Sequence, residues 1–147
     1  MRLTLNHAFP VPREKVYAAL TDPAVLQRCI EGCEELVATG PDTFDAKLKV
    51  GIGAIKGAYS GKVELKDRKP PESLTLQIEG KGMPGFVRST ASIRLSEKDG
   101  GTELAADGEA TVGGLIAAVG SRLVEGIAKK MIEEFFQKLR QHLASSM

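Results

Sequence analysis

The amino-acid sequence predicts an α+β fold: a curved antiparallel sheet wrapped around one long C-terminal helix, with two short helices after the first strand. Three observations predict it. From Cys33 to Val112 apolar and polar residues alternate with period two between clusters of Gly, Pro and Asp. From Ile116 to Leu139 apolar residues recur every three or four positions. The 147 residues suit a single domain, spanning 1–147, that buries roughly two thirds of its unfolded surface.

The first element is a strand. Leu3, Leu5, His7 and Phe9 alternate with Thr4, Asn6 and Ala8, and Pro10 ends the run. Pro12 suits the first turn of a helix, and Val16, Ala19 and Leu20 follow at helical spacing behind Arg13, Glu14 and Lys15. That helix stops near Asp22-Pro23. A second short helix carries Val25, Leu26, Cys29 and Ile30 and ends at Gly32, which can take the left-handed conformation of a helix C-terminus.

Turn signals at Gly40-Pro41-Asp42, Lys69-Pro70-Pro71, Gly82-Met83-Pro84-Gly85 and Asp99-Gly100-Gly101 divide the meander. Phe44, Ala46, Leu48, Val50 and Ile52 form the apolar side of one strand, and Ile55, Gly57, Tyr59, Gly61, Val63 and Leu65 that of the next. The parity continues through Leu74, Leu76, Ile78 and Gly80, and through Val87, Ser89, Ala91, Ile93 and Leu95. It ends with Thr102, Leu104, Ala106, Gly108, Ala110 and Val112. A sheet with one apolar face needs a cover. Ile116, Val119, Leu123, Ile127, Met131, Phe135 and Leu139 supply it on one continuous helix, about 35–40 Å long.

Composition excludes several function classes. The 20 Lys+Arg balance 19 Asp+Glu for a net charge of +1, which argues against a nucleic-acid binder. No apolar run reaches the roughly 18–20 residues of a membrane-spanning helix. The N-terminus lacks the apolar centre and cleavage site of a signal peptide, so a cytoplasmic protein is expected. Cys29 and Cys33 are too few for a disulfide framework or a structural zinc site and are read as reduced and buried. His7 and His142 stand at opposite ends of the chain, so no metal site is expected. No nucleophile elbow, phosphate loop or dinucleotide fingerprint occurs. No catalytic residue is assigned, and no tightly bound cofactor is expected.

The inward face is small and apolar. Ala46, Gly57, Gly61, Gly80, Ala91, Ala106 and Gly108 leave room beneath the helix, and a chain with no Trp and 5% aromatic residues has few large side chains to fill it. The glycines admit a second reading, as bends or bulges in the strands, and periodicity leaves both open. A cavity here would be lined by Ala46, Leu48, Val50, Gly57, Tyr59, Gly61, Leu76, Ile78, Gly80, Val87, Ser89 and Ala91. Leu123, Ile127 and Met131 would face it from the helix. Such a lining suits a lipophilic ligand, with His7 and Tyr59 as polar contacts, though either residue is equally a satisfied core group. Access is expected between the Gly82 to Phe86 loop and Gly113 to Gly120, where glycines permit opening. Arg122, Lys129, Lys130, Lys138 and Arg140 make the outer helix face mildly basic. Arg122, Lys129 and Lys130, with Phe136, are therefore candidate contacts for an acidic partner or an anionic membrane surface.

The order of elements is similar to the helix-grip fold of the START and Bet v 1 superfamily. Three motifs narrow the resemblance: Cys29-Ile30-Glu31-Gly32-Cys33-Glu34; Val50-Gly51-Ile52-Gly53 through Lys56-Gly57-Ala58-Tyr59-Ser60-Gly61-Lys62-Val63; and Val112-Gly113-Gly114 through Gly120-Ser121-Arg122-Leu123-Val124-Glu125-Gly126. Together they resemble the pattern of the CoxG family of carbon monoxide dehydrogenase subunits, with Glu31 and Ala54 standing where Pro is usual. The resemblance implies a non-catalytic accessory protein that holds an isoprenoid quinone or lipid in the grip. It would link a molybdenum hydroxylase such as carbon monoxide dehydrogenase to the membrane or its quinone pool. It also implies that Gly57, Gly61 and Gly80 border ligand space. Some members carry an anchoring C-terminal extension, whereas this sequence ends at Met147 directly after its helix, so the expected membrane contact is peripheral, at the inner face of the cell membrane. Two other readings stay open: a ligand-free assembly factor for the same enzyme, and a cyclase-like enzyme on a polyketide-like substrate that would rely on Tyr59 and His7.

Overall fold

The computed structural model describes residues 1–51 and 53–145, with Ala54 described by its backbone alone. Ile52, expected on the apolar side of a strand, lies outside the described residues. The chain opens with strand β1 (Arg2–Phe9) and helices α1 (Arg13–Leu20) and α2 (Pro23–Cys29). Asp22 caps α2, its Oδ1 accepting the Ala24 N–H at 3.0 Å, and Pro23 occupies the first turn, where its missing N–H has no helical partner to lose. Gly32 then takes φ +80°, and a Cβ there would lie 2.1 Å from the Lys49 carbonyl oxygen. Only glycine lets α2 return to the sheet so tightly.

A meander follows: β2 (Cys33–Ala38), β3 (Thr43–Val50), β4 (Gly57–Lys69), β5 (Ser73–Gly82), β6 (Gly85–Lys98) and β7 (Gly101–Gly113). β1 pairs antiparallel with β7, so the seven strands lie in the order β1-β7-β6-β5-β4-β3-β2. A single 3-10 turn, Gly53–Ile55, joins β3 to β4, and β4 begins two residues later than the alternation suggested. Helices α3 (Leu115–Ala118) and α4 (Ser121–Ser145) complete the helix-grip fold.

The final helix departs from the continuous run expected of it. Gly114 and Gly120 take φ +73° and +104°, conformations that side chains with a Cβ rarely adopt, and they bracket α3 as a separate turn. The Ile116 N–H donates to the Pro84 carbonyl at 2.8 Å, seating α3 on the β5–β6 turn. This break resets the helical phase. Leu123, expected to face the sheet, is 53% exposed; the buried side chains of α4 are Val124, Phe136, Leu139 and Leu143. Phe136, expected at the surface, is 6% exposed.

The core is closed at one end only. There Phe44, Leu65, Leu74, Ile93, Leu95 and Leu104 are buried together with residues of α1, α2 and the C-terminal half of α4. Full burial of a side chain such as Leu104 or Leu139 stabilises by about 1.5–3 kcal/mol relative to exposure. Thr102 Oγ1 donates to the Val11 carbonyl at 2.7 Å, and the Tyr17 hydroxyl donates to the Ser73 carbonyl at 3.1 Å, so polar groups at this end are satisfied. Toward the other end Ala46, Leu48, Val63, Leu76 and Ala91 are only half-buried and Ile78 is exposed. The contacts of α4 run mainly to α1, α2 and β1, and the middle of the sheet faces open space instead.

Candidate ligand-binding cavity

That space is a cavity of about 1180 Å³ between the concave face of the sheet, α2 and α4. It exceeds the roughly 300–1,000 Å³ of common ligand pockets. Alternate residues of neighbouring strands form the floor, because a period of two places them on one face. Leu76 stands opposite Ala91, Ile78 opposite Ser89 and Ala91 opposite Gly108, so small side chains from three strands meet at the centre. Met131, Ile132 and Phe135 of α4 form the roof.

Of the residues expected to line such a space, Ala46, Leu48, Val50, Gly57, Leu76, Ile78, Ser89, Ala91 and Met131 do so. The rest lie elsewhere. Tyr59 donates its hydroxyl to the Ile55 carbonyl and fastens the 3-10 turn to β4; burial pushes its pKa up. Gly61, Gly80 and Val87 form one cross-strand row with Ala46, and this row borders a groove of about 740 Å³ on the opposite face of the sheet, beside exposed Lys47, Lys62 and Lys81. A Cβ on Gly61 would lie 2.4 Å from the Glu79 carbonyl oxygen, so this glycine serves close strand approach. Leu123 points to solvent for the reason given above, and Ile127 is half-buried outside the lining.

His7 sits behind the cavity wall. Its ring stacks on Phe136 and borders Phe9 at 4.9 Å, and its buried Nε2 has no hydrogen-bond partner among the described residues. Burial, reinforced by nearby Arg140, lowers its pKa and favours a neutral ring. Arg122, Lys129 and Lys130 are exposed; Lys129 pairs with Glu125 at 3.7 Å, and Lys130 reaches the cavity rim. Cys29 is buried, whereas Cys33, expected to be buried too, is half-buried and lines the cavity; burial raises both thiol pKa values. The expected access route is shut, since Gly114 packs against Gly85 and no residue of 82–86 or 113–120 lines the cavity.

Sequence reasoning missed the walls supplied by Leu20, Leu26 and Ile30 and the charged rim of Glu31, Lys49, Lys56, Glu109 and Glu134. The helical pattern of the first two showed an apolar face but not what it faced. The rim residues sit at strand ends and on helix edges, where exposed charge is ordinary.

The chemistry of the cavity is that of shelter. Ser89 is the one hydroxyl among the described lining residues, no His, Tyr or Asp joins it, and the charges stand at the rim. Among the described residues no three His, Cys, Asp or Glu gather as a metal site, and no helix is long and apolar enough to cross a membrane. An apolar molecule entering would lose water contact without leaving a buried charge unpaired.

Comparison with known proteins agrees with this geometry. The profile of the CoxG family of carbon monoxide dehydrogenase subunits matches residues 8–144. A conserved protein of solved structure from Geobacillus kaustophilus is similar to this chain with a TM-score of 0.96 and 37% identity, over 99% of this chain and 97% of that one. A protein from Chromobacterium violaceum has a TM-score of 0.74 and 17% identity, over 97% of this chain and 96% of that one. A protein from Rhodobacter sphaeroides has a TM-score of 0.72 and 21% identity, over 98% and 92%. These last two share the fold. No curated protein matches the sequence.

Proposed function

This chain belongs to the CoxG family of carbon monoxide dehydrogenase subunits, and from that premise we propose that it is a non-catalytic accessory protein carrying an isoprenoid quinone or similar lipid. In this reading it works as a peripheral protein at the cytoplasmic face of the membrane. It links a molybdenum hydroxylase such as carbon monoxide dehydrogenase to the membrane or its quinone pool.

One observation carries the reading: a cavity of about 1180 Å³ whose interior is apolar and whose charges stand at the rim. Each square ångström of apolar ligand surface removed from water there contributes about 25 cal/mol. A quinone ring or lipid headgroup finds the Ser89 hydroxyl and the rim charges as polar contacts, while Met131 and Phe135 cover its chain. With no base beside Ser89 in the lining, the protein shelters its cargo without transforming it.

Ser89→Trp tests the proposal, because the chain has no other Trp and quinones quench indole emission on contact. A water-soluble short-chain quinone should quench this variant saturably, and should quench Val37→Trp, on the outer face of the sheet, only by collision. Equal, unsaturable quenching of both variants would remove the carrier function.

A further inference from the structure

The meander sorts its turns into two ends. The β2–β3, β4–β5 and β6–β7 turns gather at one end with Asp42, Glu72 and Asp99. The β3–β4 link, the β5–β6 turn and α3 gather at the other. This second end exposes large apolar side chains: Met83 is 96%, Leu115 67% and Leu123 53% exposed. The bond from the Ile116 N–H to the Pro84 carbonyl brings α3 beside the Met83 turn, and α3 in turn meets the start of α4. Segments 49–58, 81–88 and 111–123, which build this end, contain Lys49, Lys56, Lys81, Arg88 and Arg122 and no Asp or Glu.

We propose that this end docks on an anionic lipid bilayer, with Met83, Leu115 and Leu123 entering the interfacial layer and Lys56, Lys81 and Arg122 meeting the headgroups. A surface both apolar and positive complements one that is apolar beneath a negative layer. Met83 protrudes from a turn flanked by Gly82, Pro84 and Gly85, a shape suited to insertion rather than to flat packing. Gly51, Lys56, Gly57 and Ala58 of the same end also line the cavity, so docking sets the cavity rim against lipid. The purpose of docking rests on the carrier reading; its location rests on exposure and charge.

The test uses Met83→Trp in the full chain, mixed with vesicles of phosphatidylcholine plus phosphatidylglycerol or of phosphatidylcholine alone. Emission should shift to the blue with the anionic vesicles, little with the neutral ones, and the shift should fade as salt rises. Val37→Trp, 50% exposed on the outer face of the sheet, should not shift. Reversing charge in Lys56→Glu with Lys81→Glu should weaken vesicle binding at least about tenfold. An unshifted Met83→Trp, a shift shared by Val37→Trp, or indifference to the lysine reversals would overturn the proposal. Quinone uptake from detergent, measured on the same variants, separates the two ideas: uptake without vesicle binding removes the docking and spares the carrier reading, and vesicle binding without uptake does the reverse.

Discussion

The His7 ring stacks on Phe136 with centroids 5.4 Å apart and planes 25° from parallel, joining the first strand to the last helix across the closed end of the grip. The imidazole Nε2 is buried without a partner, and burial and then Arg140 lower its pKa from the usual 6.5. The unfolded chain therefore binds a proton near pH 6.5 that the folded protein refuses until the pH is lower. Stability is expected to be full above about pH 6.5 and to fall as pH drops through the lowered folded value. Urea midpoints measured between about pH 7.5 and 5.5 should show this decline, and His7→Leu should flatten it. An equal decline in the variant would show that other groups are responsible.

The rotation of α4 makes a sharp contrast in stability. Leu139 is fully enclosed and Leu123 is 53% exposed. Leu139→Ala should destabilise by about 2–5 kcal/mol, and Leu123→Ala by under about 0.5 kcal/mol. Chemical denaturation of the two variants checks the orientation directly, and a reversed order would mean that the helix is turned to the face its simple periodicity suggests.

Two glycines in one cross-strand row should behave oppositely. A Cβ on Gly61 meets the Glu79 carbonyl oxygen at 2.4 Å, while one on Gly80 meets nothing within 4 Å. Gly61→Ala should cost about 1–3 kcal/mol, and Gly80→Ala should be neutral or stabilise by up to about 1 kcal/mol. Denaturation midpoints decide this as well. For the same reason a bulky residue at Gly61 is a test of folding rather than of ligand uptake.

Cys33 offers a reporter of occupancy. It lines the cavity while Cys29 is 2% exposed, and burial raises the pKa of each thiol. An aromatic disulfide reagent should modify Cys33 slowly and Cys29 only on unfolding. Quinone in the cavity should slow Cys33 further. Modification of Cys33 at a rate unchanged by saturating quinone would place the ligand elsewhere.

The strands were legible because burial on one face imprints period two, and each turn announced itself with Gly, Pro or Asp. The helix phase was not. Leu123 and Val124, and Phe135 and Phe136, are adjacent apolar pairs, so either member fits a stripe of three- and four-residue steps, and only the left-handed Gly120 fixes which is buried. Glycines posed the same difficulty in the sheet: Gly57 lines the cavity and Gly61 does not, although both share the inward parity. Parity reports the face of a strand; whether a missing side chain leaves space or admits a neighbouring backbone depends on strands distant in sequence. The α1–α2 wall, built by Leu20, Leu26 and Ile30, required tertiary structure for the same reason.

Organic extraction of the protein, purified from a host that makes isoprenoid quinones, followed by mass spectrometry, tests the central claim most directly. The account predicts a stoichiometric quinone or lipid, reduced in amount when Ile78→Glu places a charge in the cavity. A protein that yields no lipophilic molecule, and that takes up none when quinone is added, would contradict it.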